Sequence, residues 1–246
     1  MARAALRDDL PAARLDGPER EVRLLLDHRE DLVAERTRAQ NRLRWHLHEL
    51  VPGFDPPAGS LDRDRILDGV ATTLEAFEGV VAELARELVG RIRADTKRIN
   101  ELERAIARQV TPRARALLAL PGCGALTAAK IVGETAGVSR FKDRAAFARH
   151  NGTAPIPVWS GNHTKHRLNR GGNRQLNAAI HRIAVTQLRM YEPAQGYMAK
   201  RRTSGDTKTE ALRALRRRIS DEVFKRLVED EAALGDLDAG RLSPAA

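Results

Sequence analysis

Cysteine is nearly absent from this sequence: Cys123 is the only one among 246 residues. A disulfide within the chain is therefore excluded, and a reducing compartment such as the cytoplasm fits. Aromatic residues are also scarce, at 4% of the chain, so the core must consist mainly of Leu, Ala, Val and Ile. Because Ala and Leu are strong helix formers, the composition predicts a mainly α-helical fold.

Long hydrophobic runs are missing as well. No apolar run approaches the ~18 residues that a membrane-spanning helix needs, and the N-terminal residues lack the apolar core of a signal peptide. Positive charge, in contrast, is abundant: 43 Lys and Arg oppose 33 Asp and Glu, which gives a net charge of +10. This balance predicts a polyanionic partner, and nucleic acid is a better candidate than a membrane surface.

The positive charge is concentrated in one segment of the chain. Residues 162–218 contain fourteen Lys and Arg but only three acidic residues, so this segment carries +11 and the rest of the chain is near −1. A phosphate backbone is therefore expected to lie against the C-terminal half. The same excess argues against a purely structural coiled-coil protein, which would not need it.

An amphipathic helix is predicted over residues 19–50. Its apolar residues recur at three- and four-residue steps, and Arg29, Arg36 and Gln40 occupy the same stripe where it is weak. Three prolines and two glycines in residues 51–60 cannot continue a helix. We therefore expect the first helix to end there.

A second helix is predicted over residues 62–108, where a heptad-like apolar series has one acidic interruption at Asp95. Two long helices joined by a loop rich in Pro and Gly form an antiparallel hairpin. Residues 19–110 are therefore predicted to be a long antiparallel helical hairpin, or coiled coil. Such hairpins commonly associate between chains, and packing within one chain is an equally good interpretation.

The composition changes after Thr111-Pro112, where we place a domain boundary. Residues 111–228 are predicted to form a compact helical domain that follows the hairpin. Residues 1–18 are interpreted as an N-terminal stub, and the acidic residues 229–246 as a flexible tail.

Residues 117–132 read LLALPGCGALTAAKIV, with Gly122 and Gly124 between two apolar segments. Glycines at this spacing allow a sharp turn and a close approach to a ligand, and the amides that open the next helix favour an anion. The stretch resembles the helix-hairpin-helix motif, whose turn holds a DNA phosphate without reading the sequence. An ordinary turn between two helices is the alternative.

Residues 155–175 read PIPVWSGNHTKHRLNRGGNRQ and place a lone serine, Ser160, before a basic, glycine-rich run. A loop serine is normally only a turn residue. A short extended segment or β-hairpin around residues 155–166 is predicted to present it. His163 and His166 lack the Cys pair or the carboxylate set that would accompany them in a zinc site, so no metal site is predicted.

Several features of this region occur in the order found in one family of mobile-element proteins. They are the LPGCG turn, the Phe141-Lys142-Asp143 helix start, residues 152–155, then Pro157, Ser160 and Gly161, the Arg170-Gly171-Gly172-Asn173 turn, and a helix over residues 174–189. Over roughly residues 114–225 the chain resembles the C-terminal domain of the insertion-sequence 110/116/902 transposases. The predicted hairpin upstream resembles the family's central coiled region.

The resemblance implies a role for Ser160, because the C-terminal serine of that family is a nucleophile that joins covalently to DNA during strand exchange. A serine hydroxyl needs an activating partner, and the attacked phosphodiester needs cations on its oxygens. Nearby residues of both kinds are His163, Lys165, His166, Arg167 and Arg170. Their spacing does not decide which one activates the serine.

DNA contacts are expected from the two glycine turns and from the cations around the serine. The residues concerned are Gly122, Gly124, Lys165, Arg167, Arg170, Gly171, Gly172 and Arg174. The Gly171-Gly172 pair is not a nucleotide-binding P-loop, because the Gly-Lys-Ser/Thr ending of that motif is absent. The pair could still seat the DNA backbone beside Ser160.

The resemblance leads us to expect that the family's metal-binding half is missing from this sequence. Family members carry, ahead of the coiled region, a ribonuclease-H-like domain whose acidic residues hold divalent metal, expected to be Mg²⁺. This chain starts at the ARAAL-like helix that follows the last of them, and Asp8 and Asp9 lie on the wrong side of that helix. No cofactor is therefore expected in this chain. We expect a misassigned start or a remnant gene, and a chain that binds nucleic acid but cannot transpose alone.

Two functions stay open at this point. The first is a transposase of an insertion sequence that cleaves and rejoins DNA through Ser160. The second is a truncated, catalytically inactive DNA-binding remnant, or a regulator of a full-length transposase. The resemblance further implies DNA and a guide RNA of the element as partners, homo-oligomers formed through the helical hairpin, no membrane, and a cytoplasmic, nucleoid-associated location in a bacterium.

Overall fold

The computed structural model describes residues 12–14, 16–160, 163–167, 169 and 171–242, and for residues 160, 163–167 and 237–242 it describes the backbone. The chain is mainly helical, which confirms the prediction from composition. The elements in chain order are α1 Gly17–Leu50, α2 Asp64–Leu74, α3 Val80–Val110, α4 Arg115–Leu118, α5 Ala125–Thr135, α6 Arg144–His150, β1 Ile156–Ser160, β2 His163–Arg167, α7 Arg174–Met190, α8 Glu192–Thr203 and α9 Lys208–Leu242.

These elements divide into two compact units. The minor unit is Leu24–Ala105 and contains most of α1 and α3 together with α2. The major unit comprises the described residues up to Arg23 and those from Ile106 onward, and it contains the remaining elements. The sequence-based boundaries at residues 19, 111 and 229 stay predictions.

The prediction of one helix over residues 62–108 is wrong, because this range contains two helices. Helix α2 ends at Leu74, α3 begins at Val80, and Gly79 between them has a φ of +93°. Glycine adopts this left-handed conformation at little cost, whereas other residues do not. The break lets all three helices contribute to one core, formed by Ala39, Leu43, Leu47, Leu61, Leu67, Val70, Leu74, Ala85, Val89 and Ile92.

Polar residues in the stripe of α1 pair with polar residues of α3 inside the minor unit. A guanidinium nitrogen of Arg29 donates to a carboxylate oxygen of Glu103 at 2.7 Å, and Arg36 Nη1 donates to Thr96 Oγ1 at 3.1 Å. Residue numbers rise along α1 as they fall along α3, so the two helices run antiparallel there. Association of this unit with a second copy stays a prediction.

The long helix α9 is the common packing partner in the major unit. Helices α4, α6, α7 and α8 all contact it. Its Asp230 carboxylate accepts hydrogen bonds from the amides of Ala116 at 2.7 Å and Leu117 at 3.0 Å, at the start of α4. Its Phe224 ring lies 5.7 Å from the ring of Phe147 in α6. Helix α9 therefore fixes the elements that surround the candidate site.

Candidate serine hairpin and nucleic-acid interface

Strands β1 and β2 form an antiparallel hairpin, which confirms the expectation for residues 155–166. The register pairs Ile156 with Arg167, Pro157 with His166, Val158 with Lys165, Trp159 with Thr164 and Ser160 with His163. Ser160 is thus the last residue of β1 and lies directly across from the first residue of β2. Gly161 and Asn162, between them in sequence, lie outside the described residues.

The register sorts the candidate partners of the serine by face. Positions that pair across an antiparallel ladder share a face, and so do positions two residues apart on one strand. Positions 163, 165 and 167 therefore share the face of Ser160, whereas position 166 belongs to the opposite face. Of the two nearby histidines, the register favours His163 over His166 as the residue beside the serine.

Residues 150–152, before the β-hairpin, contact residues 171–173, which follow it and lead into α7. We call this contact the neck of the hairpin. The amide of Asn173 donates to the carbonyl oxygen of His150 at 2.6 Å. Gly152 and Gly172 have φ angles of +73° and +87°, in the left-handed region. A Cβ on Gly152 would lie 2.8 Å from the carbonyl oxygen of Gly171, and a Cβ on Gly172 would lie 2.6 Å from that of His150. The neck therefore requires glycine at both positions.

This packing gives Gly172 a structural reason to be glycine that is independent of DNA. Gly171 differs, because its φ is not in the left-handed region and its amide donates to Asn169 Oδ1 at 2.9 Å. Both glycines are exposed. Their predicted contact with a DNA phosphate stays a prediction.

A polar network that sequence analysis missed anchors the neck to the rest of the major unit. The Asn173 side chain caps α7 by accepting from the Leu176 amide at 2.9 Å, and it donates to Glu134 Oε2 at 2.6 Å. Asn177 Nδ2 donates to the carbonyl oxygen of Asn151 at 2.7 Å. Glu134 is buried, and a carboxylate among the mainly apolar residues of α5 is the signal that could have revealed the network.

The same network reaches α9 through two further residues. Arg216 donates to the Asn177 side-chain oxygen, and Asn151 Nδ2 donates to Ser220 Oγ at 2.8 Å. Asn151 and Ser220 are fully buried. Because a buried polar group is costly to leave unpaired, these bonds hold the neck against α9.

His150 links the neck to a cationic neighbour. Its Nε2 lies 3.2 Å from Nη2 of Arg140, and its ring lies 5.1 Å from that of Phe141. Burial, and then the positive charge of Arg140, lower the pKa of His150 below its ordinary value. His150 is therefore held neutral at the position whose carbonyl oxygen closes the neck.

The LPGCG stretch forms a tight turn between α4 and α5. Gly122 has a φ of +84°, and a Cβ there would lie 3.1 Å from the carbonyl oxygen of Ile183. Gly124 is exposed at the N-terminal end of α5, with open space where a Cβ would be. Gly122 thus serves packing against α7, whereas Gly124 has no packing contact that would require glycine. The helix-hairpin-helix assignment stays a prediction.

The only cysteine lies in this turn, and its thiol is unsuited to chemistry. Cys123 is buried. Burial, together with the charge of Asp230, raises the pKa of its thiol to about 12. A thiol is nucleophilic only as the thiolate, so Cys123 is a packing residue.

The glycine turn and the serine hairpin lie at opposite ends of α7. Gln187 Nε2, near the C-terminal end of the helix, donates to the carbonyl oxygen of Pro121 in the turn at 2.8 Å. Asn173, just before the first residue of the helix, holds the neck of the hairpin. At 1.5 Å per residue, the helix between these two contacts is about 20 Å long. The structure therefore does not bring the two predicted DNA-contacting elements into one pocket.

The predicted cations group at the serine end of α7. Arg174 is the first residue of α7 and is exposed. Lys165 and Arg167 lie on β2 at positions that share the face of Ser160. Arg170 lies outside the described residues. The helix predicted over residues 174–189 is confirmed as α7.

Two kinds of site are absent from the part of the chain that the structure describes. No group of three or more His, Cys, Asp or Glu there could hold a metal ion. No helix there is both long enough and apolar enough to cross a membrane.

Comparison with known proteins identifies relatives of the chain. Residues 114–199 match the model of the transposase IS116/IS110/IS902 family. An uncharacterized 44.8 kDa protein of insertion element IS116 from Streptomyces clavuligerus is 29% identical over 273 residues, which cover 91% of this chain and 68% of that protein. An uncharacterized 43.6 kDa protein of insertion element IS110 from Streptomyces coelicolor is 26% identical over 248 residues, 81% of this chain and 61% of that protein. The match thus spans about two thirds of each relative.

Proposed function

We propose, from the premise that residues 114–199 carry a transposase domain of the IS116/IS110/IS902 family, that this protein binds DNA and joins to it covalently through Ser160. The observation that supports the assignment is the hairpin register. It places Ser160 at the end of β1, opposite His163, on the face that also contains positions 165 and 167. A nucleophile, a base and two cations thereby share one face of a two-stranded hairpin.

The proposed chemistry is a phosphoryl transfer to the serine. Ser160 Oγ attacks the DNA phosphorus, a new oxygen–phosphorus bond forms, and the bond from phosphorus to one deoxyribose oxygen breaks. The hydroxyl proton passes to the imidazole of His163, and the leaving oxygen takes up a proton from water. Lys165 and Arg167 stabilise the charge on the phosphate oxygens. Because one phosphoester bond replaces another, attack by a DNA hydroxyl on the serine ester rejoins strands without a nucleotide cofactor.

DNA binding in this proposal uses two contacts that are separated along α7. The backbone amides at Gly124 and the start of α5 receive one phosphate, and the cations around the hairpin receive another. The helix between them is about 20 Å long, which at about 3.4 Å per base pair corresponds to roughly six base pairs of duplex. The +11 charge of residues 162–218 supports a backbone contact of this length.

The test is a covalent adduct assay with the full chain. The purified protein is incubated with a supercoiled plasmid that carries the gene and its flanking DNA, together with RNA transcribed from that flanking DNA. Protein–DNA adducts that survive detergent are counted, and the attached residue is mapped by mass spectrometry. We expect adducts at Ser160 in the wild type and none with Ser160→Ala, while salt-sensitive DNA binding stays the same in both.

The two histidines provide a matched pair of variants for the role of the base. His163→Ala is expected to lower the rate of adduct formation by roughly 100-fold or more, as expected for removal of a general base. His166→Ala is expected to leave the rate within a few-fold of the wild type, because its position belongs to the opposite face of the hairpin. Equal losses in both variants, or adducts that persist in Ser160→Ala, would contradict the assignment.

The remaining elements of the proposal concern partners. We propose a guide RNA of the element and homo-oligomers formed through the minor unit as partners of the DNA-bound protein. Comparing the adduct assay with and without the RNA tests the guide RNA. The molecular mass of the protein–DNA complex tests the homo-oligomer. Adduct-free binding by the wild type under every condition would instead favour the second function, a DNA-binding regulator of a longer transposase.

A further inference from the structure

Both tyrosines of the chain line the same cleft of the major unit. The cleft has a volume of about 730 Å³ and opens between the LPGCG turn, the end of α7, the start of α8 and the middle of α9. Tyr191 and Tyr197 are the only tyrosines among 246 residues, of which 4% are aromatic. This concentration of aromatic surface at an open site is not explained by core packing, because Tyr191 is 36% exposed.

The cleft pairs its aromatic rings with a guanidinium group. The Arg218 guanidinium carbon lies 5.2 Å from the centroid of the Tyr197 ring, within the range of a cation–π contact. This contact places a planar, positively charged group beside the aromatic wall of the cleft. Aromatic rings together with arginine planes are the surfaces on which unpaired bases stack in proteins that bind single strands.

The charge of the cleft also fits a nucleic acid. Four cationic side chains line it against two acidic ones. Ion pairs involve both signs: Asp221 accepts from Arg217, Glu222 lies 2.9 Å from Arg226 Nε, and Arg226 and Lys225 also lie 3.5 Å and 3.8 Å from Glu229. With four cations and two carboxylates, the lining residues carry a formal net positive charge, which favours a phosphate and disfavours an acidic peptide.

The cleft adjoins the turn that the proposed function assigns to a DNA phosphate. Leu120 and Pro121 belong both to the turn and to the cleft wall, and Gln187 of the cleft donates to the carbonyl oxygen of Pro121. A strand whose backbone contacts the amides at Gly124 would therefore lie beside a turn that forms part of the cleft wall. A base inside a duplex cannot enter it, because its edges and faces are engaged by its neighbours.

We propose that this cleft receives one unpaired nucleotide of a DNA or RNA strand that lies on the LPGCG turn, with its base stacked on Tyr191 and Arg218. The volume falls within the range of about 300–1,000 Å³ that is usual for small-ligand sites. This inference rests on the proposed DNA contact of the turn but not on the chemistry of Ser160. The cleft distinguishes unpaired from paired strands, which the cations of the hairpin do not.

The experiment uses the full chain with single-stranded oligonucleotides, in matched DNA and RNA forms, that contain 5-iodouracil. Irradiation cross-links this base to an aromatic ring in contact with it, and the linked peptide is identified by mass spectrometry. Affinity is measured in parallel by fluorescence anisotropy for the single strands and for a duplex of the same sequence. We expect cross-links at Tyr191 or Tyr197, and the tighter of the two oligonucleotide forms identifies the natural strand.

The variants separate stacking from folding. Tyr191→Leu and Arg218→Ala are expected to weaken single-strand binding by roughly 5- to 100-fold each, the range expected for loss of one base stack. Tyr191→Leu, which removes no charge, is also expected to leave duplex affinity within about twofold. Tyr191→Phe keeps the ring and is expected to retain single-strand affinity. Trp45→Leu is the matched control, because Trp45 is an aromatic residue of the minor unit with 74% exposure, and we expect no change.

The outcomes distinguish this inference from the proposed function. Wild-type single-strand affinity in Tyr191→Leu and Arg218→Ala, or cross-links only at other aromatic residues, would overturn the cleft as a nucleotide site even if duplex binding persists. Cross-links in the cleft by a wild-type protein that binds no duplex would support the cleft and refute the proposed duplex contact of the turn.

Discussion

Replacement of Gly172 by alanine tests whether the neck of the serine hairpin is as tightly packed as the structure indicates. The new Cβ would lie 2.6 Å from the carbonyl oxygen of His150, 2.9 Å from the amide nitrogen of Gly152 and 3.2 Å from the carbonyl oxygen of Arg149. All three neighbours are backbone atoms, so a side-chain rotation cannot relieve the contact. The φ of +87° adds a second cost, because a residue with a Cβ loses about 1–2 kcal/mol in the left-handed region.

These two costs set the magnitude of the expected effect. Overpacking of a rigid site typically costs about 1–3 kcal/mol, so Gly172→Ala is expected to lower the free energy of unfolding by about 3 kcal/mol in total. Urea denaturation, followed by circular dichroism, measures this loss as a shift of the midpoint at unchanged slope. We also expect fewer Ser160 adducts at temperatures where the variant is folded, because the neck must open to relieve the contact.

The neighbouring glycine provides the control. Gly171 is not in the left-handed region, and a Cβ there would meet only the side-chain oxygen of Asn169 at 3.3 Å, which can shift at the cost of at most its one exposed hydrogen bond to the Gly171 amide. Gly171→Ala is therefore expected to cost less than about 1 kcal/mol. If the two substitutions destabilise the protein equally, or if Gly172→Ala has no effect, the packing at the neck is not the reason for glycine at position 172.

Three further predictions follow from buried groups of the major unit. Burial and Arg140 lower the pKa of His150, so the folded state binds this proton more weakly than the unfolded chain. The stabilising contribution is present above the unfolded-state pKa of about 6.5 and is lost below it, as the pH falls through the lower pKa of the folded state. As the pH is lowered below 6.5, the urea midpoint should therefore decrease less in His150→Gln than in the wild type. An equal decrease in both proteins would contradict this reasoning. Asp230→Ala leaves two amides of α4 without their acceptor and should lower the free energy of unfolding by about 2 kcal/mol. Because burial raises the pKa of this carboxyl group, the uncharged Asp230→Asn should lower that free energy by less. Urea denaturation of the wild type and both variants compares the two losses, and equal losses would contradict this expectation. The Cys123 thiol should react with a disulfide reagent only at the rate of unfolding, since burial raises its pKa to about 12; rapid labelling of the native protein would show that the turn is open.

The helices with strong periodicity could be predicted, and the break in one of them could not. Residues 19–50 and 174–189 have apolar residues at helical spacing, and α1 and α7 occupy them. The series Leu74, Phe77 and Val81 keeps the same spacing across the break between α2 and α3. A break of this kind cannot be seen from apolar spacing when the spacing continues unchanged on the far side of the turn. Gly79 was the available signal, and only its φ shows that it ends the helix.

The candidate site was predictable in its composition but not in its geometry. The sequence identifies Ser160, two histidines and several cations as one short segment. It cannot rank them, because residues six apart in a loop have no fixed relation until a hydrogen-bonded register is formed. The ladder of β1 and β2 supplies that relation, since it places position 163 opposite the serine and position 166 on the other face. The anchoring network of Glu134, Asn151 and Asn177 joins segments that are distant in sequence and was therefore missed.

The amino-acid sequence by itself determined the helical class of this protein, the basic character of its C-terminal half and its resemblance to one transposase family. These properties follow from composition, local periodicity and the order of short motifs, which do not require long-range contacts. The tertiary structure decided that the glycine turn and the serine hairpin lie at opposite ends of α7 and that both tyrosines line one cleft. Only packing between elements fixes such relations, because distances between helix ends depend on which faces are buried together.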